Sequence, residues 1–306
     1  MNHRIWAQRW LLPLLAAIML AVNSAHAQES PTLKRIRETG VVVVGYRIGS
    51  MPFSYLDDTL KPIGYTMDLC QRIVDVVATA LKRPSLTVKL IAVTPATRIP
   101  LVVNGTVDLE CGVTTNTLGR QKSESFTVTT FVARSRLLGK KSSLIHSLSD
   151  LQGKTVVSTV GTTSIRYLNE VNVARHLRMK ILAGKDDAES FQMVEANRAV
   201  AYAMDDVLLY SLVATAQNPT DFLISDGTLS VEPYAIALTK DDPVFKKLVD
   251  SVLVGLFKSG EIHLIYRKWF QSPIPPRGIN LQLPMSAALQ RVLASPTDSA
   301  DPQLYE

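Results

Sequence analysis

The chain has 306 residues, of which 46% are apolar and 20% charged, as in an ordinary soluble globular protein of one or two domains. Its net charge of +6 is scattered, without a basic run or a basic–aromatic stripe, which argues against nucleic acid as a partner. Two cysteines and five scattered histidines show no metal-ligand spacing, and no phosphate-binding P-loop is present. We therefore predict neither a metal nor another cofactor.

Residues 1–27 are predicted to be a cleavable signal peptide. Arg4 and Arg9 precede an apolar run at residues 11–22, and a small-x-small cleavage site ends at Ala27. The apolar run is too short for a good membrane span, and no later run reaches the roughly 18 residues that a span needs. No lipobox cysteine lies near the cut. We expect a soluble mature protein, beginning at Gln28, in the periplasm.

Strands and helices alternate through the first half of the chain. Strands are predicted at residues 41–44, 86–93 and 108–111, and helices at residues 32–38, from 68 to about 81, and from 97 to about 104. Arg47 follows the first strand, at the end where open α/β sheets bind ligands. Arg98 lies in the first turn of a helix whose dipole it opposes, which suggests a role beyond capping. Both arginines are candidate ligand contacts.

A polar loop follows the strand at residues 108–111 and leads into a short helix that begins near Arg120. The loop offers the hydroxyls of Thr114 and Thr115 and its backbone N–H groups. Arginine alone among side chains can hold a carboxylate through two parallel hydrogen bonds. This stretch is therefore predicted to clamp a small carboxylate.

A second α/β unit follows a strand at residues 131–140 that could cross between two lobes. Strands are predicted at residues 155–159, 180–183, 199–204 and 231–239, and helices at residues 164–177, 187–197, 207–216, 243–258, around 266–270 and 286–294. Thr162 and Thr163 lie where a strand turns into a helix, an arrangement that binds anions. Asp205 and Asp206 end the next strand; one of them could accept an ammonium group and the other could cap the helix.

This alternation predicts parallel sheets with helices on both faces. Crossings near Arg134 and Glu232 divide the chain into a first lobe, residues 28–134 and 233–306, and a second lobe, residues 135–232. Cys70 is predicted in a helix and Cys111 in an apolar strand, so one disulfide and two buried thiols both stay open.

The order and spacing of these pieces resemble the periplasmic solute-binding proteins of polar amino-acid ABC transporters, family 3, and within them the glutamate/aspartate-binding proteins. The resemblance runs from about Leu33 to the tail. It rests on Gly-Val-Val-Val-Val-Gly-Tyr-Arg at 40–47, Pro-Phe-Ser-Tyr at 52–55, Arg-Ile-Pro-Leu at 98–101, Asn-Gly-Thr-Val-Asp-Leu-Glu-Cys-Gly at 104–112, Thr-Thr-Asn at 114–116, Arg-Gln-Lys at 120–122, Gly-Thr-Thr-Ser at 161–164, Met-Asp-Asp at 204–206, Lys-Trp-Phe at 268–270 and Pro-Ile-Pro-Pro at 273–276.

The resemblance implies a type II periplasmic-binding-protein fold, with two α/β lobes, two hinge strands and a ligand cleft between the lobes. It implies a monomer that closes on an amino acid and delivers it to a membrane permease. It places the α-carboxylate on Arg120 and on the hydroxyls of Thr115 and Thr163, with nearby backbone N–H groups. It places the α-ammonium on Asp205 and the carbonyl of Val113.

In acidic-substrate members, arginines matching Arg47 and Arg98 hold the side-chain carboxylate. Those members typically carry His at the position of Asp187 and Ser at the positions of Pro95 and Val113. An aspartate beside a bound carboxylate would repel it unless it is protonated. Either Asp187 pairs with Arg47 or Arg98, or the ligand is neutral, such as glutamine or asparagine. We keep glutamate or aspartate as the expected ligand.

Two other functions deserve comparison with a binding protein. An enzyme, such as a dehydratase on the same scaffold, needs a placed acid or base, and only Asp187 is left without another role. A receptor's sensor domain would be followed by a membrane span, and none follows in this sequence. We therefore predict a binding protein with no catalytic residues.

Overall fold

The computed structural model describes residues 30–306, so the predicted signal peptide lies outside the described residues. The helices are α1 (Pro31–Thr39), α2 (Tyr65–Ala80), α3 (Arg98–Val103), α4 (Thr163–Ala174), α5 (Asp187–Glu195), α6 (Asp206–Thr215), α7 (Pro243–Ser259), α8 (Glu261–Phe270) and α9 (Ala287–Ala294). Within this part of the chain, every helix is too short or too polar to cross a membrane.

The strands are β1 (Val41–Tyr46), β2 (Gly49–Ser50), β3 (Ser54–Leu56), β4 (Pro62–Ile63), β5 (Thr87–Ala92), β6 (Leu109–Glu110), β7 (Glu124–Phe126), β8 (Phe131–Lys140), β9 (Thr155–Thr159), β10 (Lys180–Gly184), β11 (Ala201–Asp205), β12 (Phe222–Ile224), β13 (Ser230–Tyr234) and β14 (Ala237–Thr239). The predicted alternation of strands and helices is thus confirmed, with most boundaries moved by a few residues.

Two mixed sheets form the framework. The first has the order β5-β1-β6-β14-β7, with β1 parallel to β5 and β6 but β14 antiparallel to both of its neighbours. The second has the order β10-β9-β11-β8-β12, and β13 also pairs with β8. Strand β8 is antiparallel to β11, β12 and β13. The prediction of purely parallel sheets is therefore wrong, because the strands that connect the two halves enter each sheet from the opposite direction.

The two connections between the sheets lie side by side. Strand β13 pairs with the beginning of β8, from Ser230 opposite Ser135 to Tyr234 opposite Phe131. The chain then leaves this ladder, and β14 joins the first sheet. The prediction of a single strand at residues 231–239 is wrong, because β13 hydrogen-bonds to the second sheet and β14 to the first.

An aromatic cluster fixes these connections to the first half of the molecule. The rings of Phe53 and Phe131 lie 4.8 Å apart, and those of Phe53 and Tyr234 lie 5.4 Å apart, both edge to face. Phe270, from α8, stacks on Phe131 at 5.1 Å. Such pairs contribute about 0.5–1.5 kcal/mol each beyond their buried area, so the crossing strands leave from a rigid base.

Cys70 and Cys111 form a disulfide between α2 and the end of β6. Both residues are buried. This settles the alternative that the sequence left open, in favour of one bridge. The polar loop that follows Cys111 therefore begins from a covalently fixed point.

Candidate functional site

Arg120 begins a short 3-10 helix at the end of the polar loop that follows β6. Its Nη1 donates to the carbonyl of Thr115 at 2.7 Å, and its own N–H donates to Thr117 Oγ1 at 3.2 Å. Burial lowers the pKa of Arg120, and the Glu232 and Glu124 carboxylates oppose that shift. The loop thus holds a guanidinium at a fixed position, as the sequence predicts.

Arg98 is the first residue of α3 and is buried. Its Nε donates to Thr114 Oγ1 at 2.7 Å, and its Nη1 donates to the carbonyl of Pro95. Burial and, after it, the positive charges of Arg120 and Arg47 lower the pKa of Arg98 to about 9. The side chain still carries its charge at neutral pH, and the hydroxyl of Thr114 is used to hold it.

The two arginines meet the second half of the molecule at one backbone carbonyl. Arg98 Nη2 and Arg120 Nη2 lie 3.4 Å and 3.3 Å from the carbonyl oxygen of Gly161. Gly161 has a φ of +75°, and a Cβ built there would lie 2.6 Å from the carbonyl oxygen of Pro95. Only glycine allows this close approach. The turn before α4 therefore packs directly against the arginines.

Arg47 and Asp187 face each other across the same gap. Arg47 Nη2 lies 3.6 Å from Asp187 Oδ2, and both side chains are buried. Asp187 Oδ1 also accepts hydrogen bonds from Thr159 Oγ1 at 2.9 Å and from the Tyr202 hydroxyl at 3.1 Å. The pairing of Asp187 with Arg47, one of the two expected alternatives, is what the structure shows.

A cavity of about 240 Å³ opens beside this pair. Arg47 and Pro95 line it from the first half of the chain, and Asp187 lines it from the second. We call Arg47, Arg98 and Asp187 the Arg47 end of the site.

Asp205 ends β11 and is buried. Its Oδ2 accepts a hydrogen bond from the Tyr234 hydroxyl, whereas among the described residues its Oδ1 has no hydrogen-bond partner. Burial raises the pKa of Asp205 well above its usual range, and the Glu232 carboxylate raises it further. A buried carboxylate oxygen without a partner is costly, so this atom is suited to a cationic ligand group.

Asp206, not Asp205, uses its carboxylate for backbone N–H groups. Its Oδ1 accepts from Arg134 at 3.2 Å and from Val207 at 2.8 Å. This is the division of roles between the two aspartates that the sequence suggests, and it leaves Asp205 available.

Thr162 and Thr163 begin α4 in the way that N-capping requires. The Thr162 hydroxyl donates to the carbonyl of Thr159 at 2.7 Å and accepts from the N–H of Ile165. The Thr163 hydroxyl donates to Glu232 Oε2 at 2.7 Å. Each hydroxyl hydrogen is therefore already committed, and the donors that α4 can still offer an anion are its first backbone N–H groups.

Backbone contacts join the loop of Arg120 to the connection that carries Tyr234. Thr115 forms a bridge with Tyr234, and the N–H of Ala235 donates to the carbonyl of Thr114 at 3.0 Å. Val113 is buried just before this loop. We call Thr115, Arg120, Thr163, Asp205 and Tyr234 the Asp205 end of the site. Contacts thus join Arg47 to Asp187, Arg98 and Arg120 to Gly161, and Thr115 to Tyr234, the partner of Asp205.

The sequence of the chain matches a protein family, the bacterial extracellular solute-binding proteins, family 3, over residues 42–272. The chain belongs to this family.

Two relatives align with the chain over most of their length. The L-glutamate/L-aspartate-binding protein of Pseudomonas aeruginosa is 47% identical over 95% of this chain and 98% of its own. The glutamate/aspartate import solute-binding protein of Escherichia coli is 43% identical over 94% and 95%. Among solved structures, a mutant of ArgBP from T. maritima superposes with a TM-score of 0.68 at 28% identity, covering 78% of this chain and 98% of its own. The predicted two-lobe fold is thereby confirmed.

Three buried polar residues of this family-3 protein were missed from the sequence. Tyr234 holds Asp205, Glu232 holds Thr163, and Glu110 is fully buried near the arginines without a hydrogen-bond partner among the described residues. Glu110 follows an apolar residue in β6, where a charged side chain is unusual. That signal could have identified Glu110. Tyr234 and Glu232 lie in an ordinary-looking strand and gave none.

Within residues 30–306, no group of three or more His, Cys, Asp and Glu side chains is arranged to hold a metal ion.

Proposed function

We propose that this chain is the solute-binding component of an amino-acid ABC importer and that it binds glutamate or aspartate between its lobes. The relatives at 47% and 43% identity are named an L-glutamate/L-aspartate-binding protein and a glutamate/aspartate import solute-binding protein. The observation that carries the proposal is the buried Oδ1 of Asp205, which has no hydrogen-bond partner among the described residues. Its partner Tyr234 forms a bridge with Thr115, whose carbonyl accepts from Arg120. A zwitterion with one extra carboxylate complements this set of charges.

In the proposed complex, Arg120 and the hydroxyl of Thr115 bind the α-carboxylate, together with the first N–H groups of α4. Arg120 has five N–H donors, of which Nη1 and Nη2 each use one on a carbonyl. Thr163 contributes through its backbone N–H, since its hydroxyl donates to Glu232. Oδ1 of Asp205 and the carbonyl of Val113 accept from the α-ammonium.

The side-chain carboxylate of the ligand is proposed to lie between Arg47 and Arg98. Arg98 donates three of its five N–H groups to Thr114, Pro95 and Gly161, and two remain for a ligand. Arg47 has Asp187 Oδ2 at 3.6 Å, which is longer than a normal hydrogen bond. Arg47 is therefore free to turn towards a stronger partner.

The domains that we propose are residues 28–134 and 233–306 for the first lobe and residues 135–232 for the second. The paired stretches of β8 and β13 form the hinge. A ligand that contacts both lobes favours the closed form by its differential affinity for that form. The permease then recognises the closed, ligand-bound form.

Glutamine or asparagine is the second candidate ligand, and the Arg47–Asp187 pair favours it. A carboxylate entering beside Asp187 meets a like charge, which at about 4 Å and intermediate dielectric costs several kcal/mol. A carboxamide avoids this cost, because it could donate to Asp187 and accept from Arg47.

The remaining parts of the proposal concern the setting of the protein. We propose that it acts as a periplasmic monomer without catalytic activity and delivers its ligand to a membrane permease. The named relatives are solute-binding proteins. The predicted signal peptide accounts for export.

The test is a thermal-shift screen of the mature protein against the twenty amino acids and common dicarboxylates, followed by calorimetry. A ligand that binds only the native state raises its melting temperature by mass action. Glutamate and aspartate should give the largest shifts. Larger shifts with glutamine and asparagine would select the second candidate, and no shift with any amino acid would reject both. Release of a changed product, seen by mass spectrometry, would instead indicate an enzyme.

A further inference from the structure

Residues 273–306, the C-terminal segment, begin just after the region matched to the family and fold over the crossing strands. Helix α9 buries Ala288 and Val292 against Val132 of β8, and Tyr305 joins the same cluster. Val231 of β13 packs against it from the other strand. One segment thus covers both connections between the lobes.

Polar contacts fix the part of this segment at residues 297–299. The N–H of Thr129 donates to the carbonyl of Thr297 at 2.8 Å. The Tyr305 hydroxyl donates to the carbonyl of Ser299 at 2.5 Å and lies 2.9 Å from Thr129 Oγ1. Tyr305 is fully buried, so its ring is a firm anchor for the end of the chain.

Asn116 connects this anchored stretch to the loop of Arg120. Its Nδ2 donates to the carbonyl of Asp298 at 2.8 Å, and its backbone N–H donates to the carbonyl of Pro233 at 2.8 Å. Its Oδ1 accepts from Gln121 Nε2 at 2.9 Å. Asn116 is only 1% exposed, so these bonds have no competition from solvent. A single residue therefore joins the loop to the hinge strand through its backbone and to the C-terminal segment through its side chain.

Asn116 lies between two residues of the loop that hydrogen-bond to Arg120. Thr115, which precedes it, accepts from Arg120 Nη1 at 2.7 Å, and Thr117, which follows it, accepts from the N–H of Arg120 at 3.2 Å. A shift of Asn116 moves the contact that holds the guanidinium and the contact that holds the backbone of Arg120. Small errors in the placement of a bidentate group weaken its two hydrogen bonds together.

We propose that Asn116 is a positioning residue for Arg120 and that the C-terminal segment, through the carbonyl of Asp298, sets the affinity of the site. This inference rests on the proposed function, in which Arg120 binds the α-carboxylate. The C-terminal segment is then part of the binding apparatus, although its residues lie outside the proposed ligand contacts.

The test compares Asn116→Ala and Tyr305→Phe in the full-length mature protein, with Asn280→Ala as the control. Asn280 is an exposed asparagine of the same segment, and its side chain donates to the carbonyl of Gln271 and accepts from the N–H of Gln282. The ligand is L-glutamate, or whichever amino acid gives the largest shift in the screen. Dissociation constants are measured by calorimetry well below the melting temperature of each variant.

Asn116→Ala should weaken binding about tenfold, and Tyr305→Phe about threefold, because each removes one or two buried hydrogen bonds. Asn280→Ala should bind as the wild type does. The double variant Asn116→Ala/Tyr305→Phe should bind no more weakly than Asn116→Ala, since both changes act through the same contact.

An unchanged dissociation constant in Asn116→Ala, with or without a lower melting temperature, would mean that Asn116 is only structural. Fully additive losses in the double variant would overturn the link to the C-terminal segment. If Asn116→Ala does not fold, wild-type affinity in Tyr305→Phe rejects the proposal by itself. A wild type that binds no amino acid would instead reject the proposed function.

Discussion

The two ends of the site hold charge in different ways. At the Asp205 end, a buried carboxylate receives one hydrogen bond, from Tyr234, and keeps one oxygen without a partner among the described residues. At the Arg47 end, the cation already faces Asp187, and Asp187 itself accepts from Thr159 and Tyr202. The Asp205 end therefore keeps an acceptor that a ligand could use, whereas at the Arg47 end Asp187 partly neutralises the charge of Arg47.

This difference separates affinity from specificity. Every amino acid carries the α-ammonium and α-carboxylate that would complete the Asp205 end, so that end contributes binding energy to all of them. The Arg47 end would meet the side chain of the ligand, which must compete with Asp187 for the arginines. Changes at the first end should therefore weaken all ligands alike, and changes at the second should alter their ranking.

The largest effect is expected from Arg120→Ala. Removing one partner of a buried, hydrogen-bonded charge pair costs about 2–5 kcal/mol, which corresponds to a loss of affinity between about thirtyfold and several thousandfold. Calorimetry should show this loss for glutamate and glutamine alike. A loss confined to one of them would contradict the assignment of Arg120 to the α-carboxylate.

Asp205→Asn should weaken binding about fiftyfold, because the ammonium group loses its counter-charge. It should also raise the melting temperature of the unliganded protein at neutral pH. Burial raises the pKa of Asp205 in the folded state. Its contribution to stability is therefore complete below the unfolded pKa and is lost as pH rises through the raised value. Asparagine does not titrate and escapes this loss.

Asp206→Asn is the control for that experiment, since Asp206 binds backbone N–H groups of the second sheet and of α6. Its affinity for glutamate should stay within about twofold of wild type. Each kcal/mol gained by Asp205→Asn corresponds to about 2–4 °C for a chain of this size, which differential scanning calorimetry resolves. A lower melting temperature for Asp205→Asn would show that Asp205 is not destabilised by burial.

Asp187→Asn should raise the ratio of glutamate affinity to glutamine affinity about tenfold. Asparagine keeps an acceptor for Thr159 and Tyr202 but removes the negative charge beside Arg47, and with it a repulsion of several kcal/mol at most. Titration calorimetry with both ligands measures the ratio. An unchanged ratio would mean that the Asp187 carboxylate is too far from the ligand side chain to affect it.

The smallest effect is a dependence of affinity on pH. The ammonium group needs an ionised Asp205, whose pKa burial raises, so ligand binding should release a proton. The affinity for glutamate should then rise as pH increases through the raised pKa of Asp205. Asp205→Asn should flatten the curve and Asp206→Asn should preserve it. A flat curve for the wild type would show that ligand binding is not linked to the ionisation of Asp205.

Much of the fold could be predicted because its signals are local. The β-branched run at residues 41–44 predicts a strand, as found, although Val42 and Val44 are buried and Val41 and Val43 only partly so. The spacing of Leu69 and Ile73 predicts the buried face of α2, as found. The sheet order was less accessible. Pro233 interrupts the apolar run just before Ala235. Only pairing with distant strands, however, reveals that β13 and β14 belong to different sheets.

The residues of the candidate site were identified because they follow strands or begin helices. The groups to which these residues hydrogen-bond could not be predicted from the sequence. That Thr163 donates to Glu232, or that Arg98 and Arg120 share the carbonyl of Gly161, depends on how the two sheets approach each other. Such contacts join residues 41–69 positions apart and have no local signal. Asp187 is an intermediate case, since its charge predicted a pairing with Arg47 or Arg98 but not which one.

The disulfide has a practical consequence for anyone who purifies this protein. Cys111 immediately precedes the stretch that leads to Arg120, and its bond to Cys70 fixes the start of that stretch. Thiols stay reduced in the bacterial cytosol and oxidise after export. Material expressed in a reducing host without the predicted signal peptide would therefore lack this crosslink. Its measured affinities would describe a looser molecule than the disulfide-bonded one.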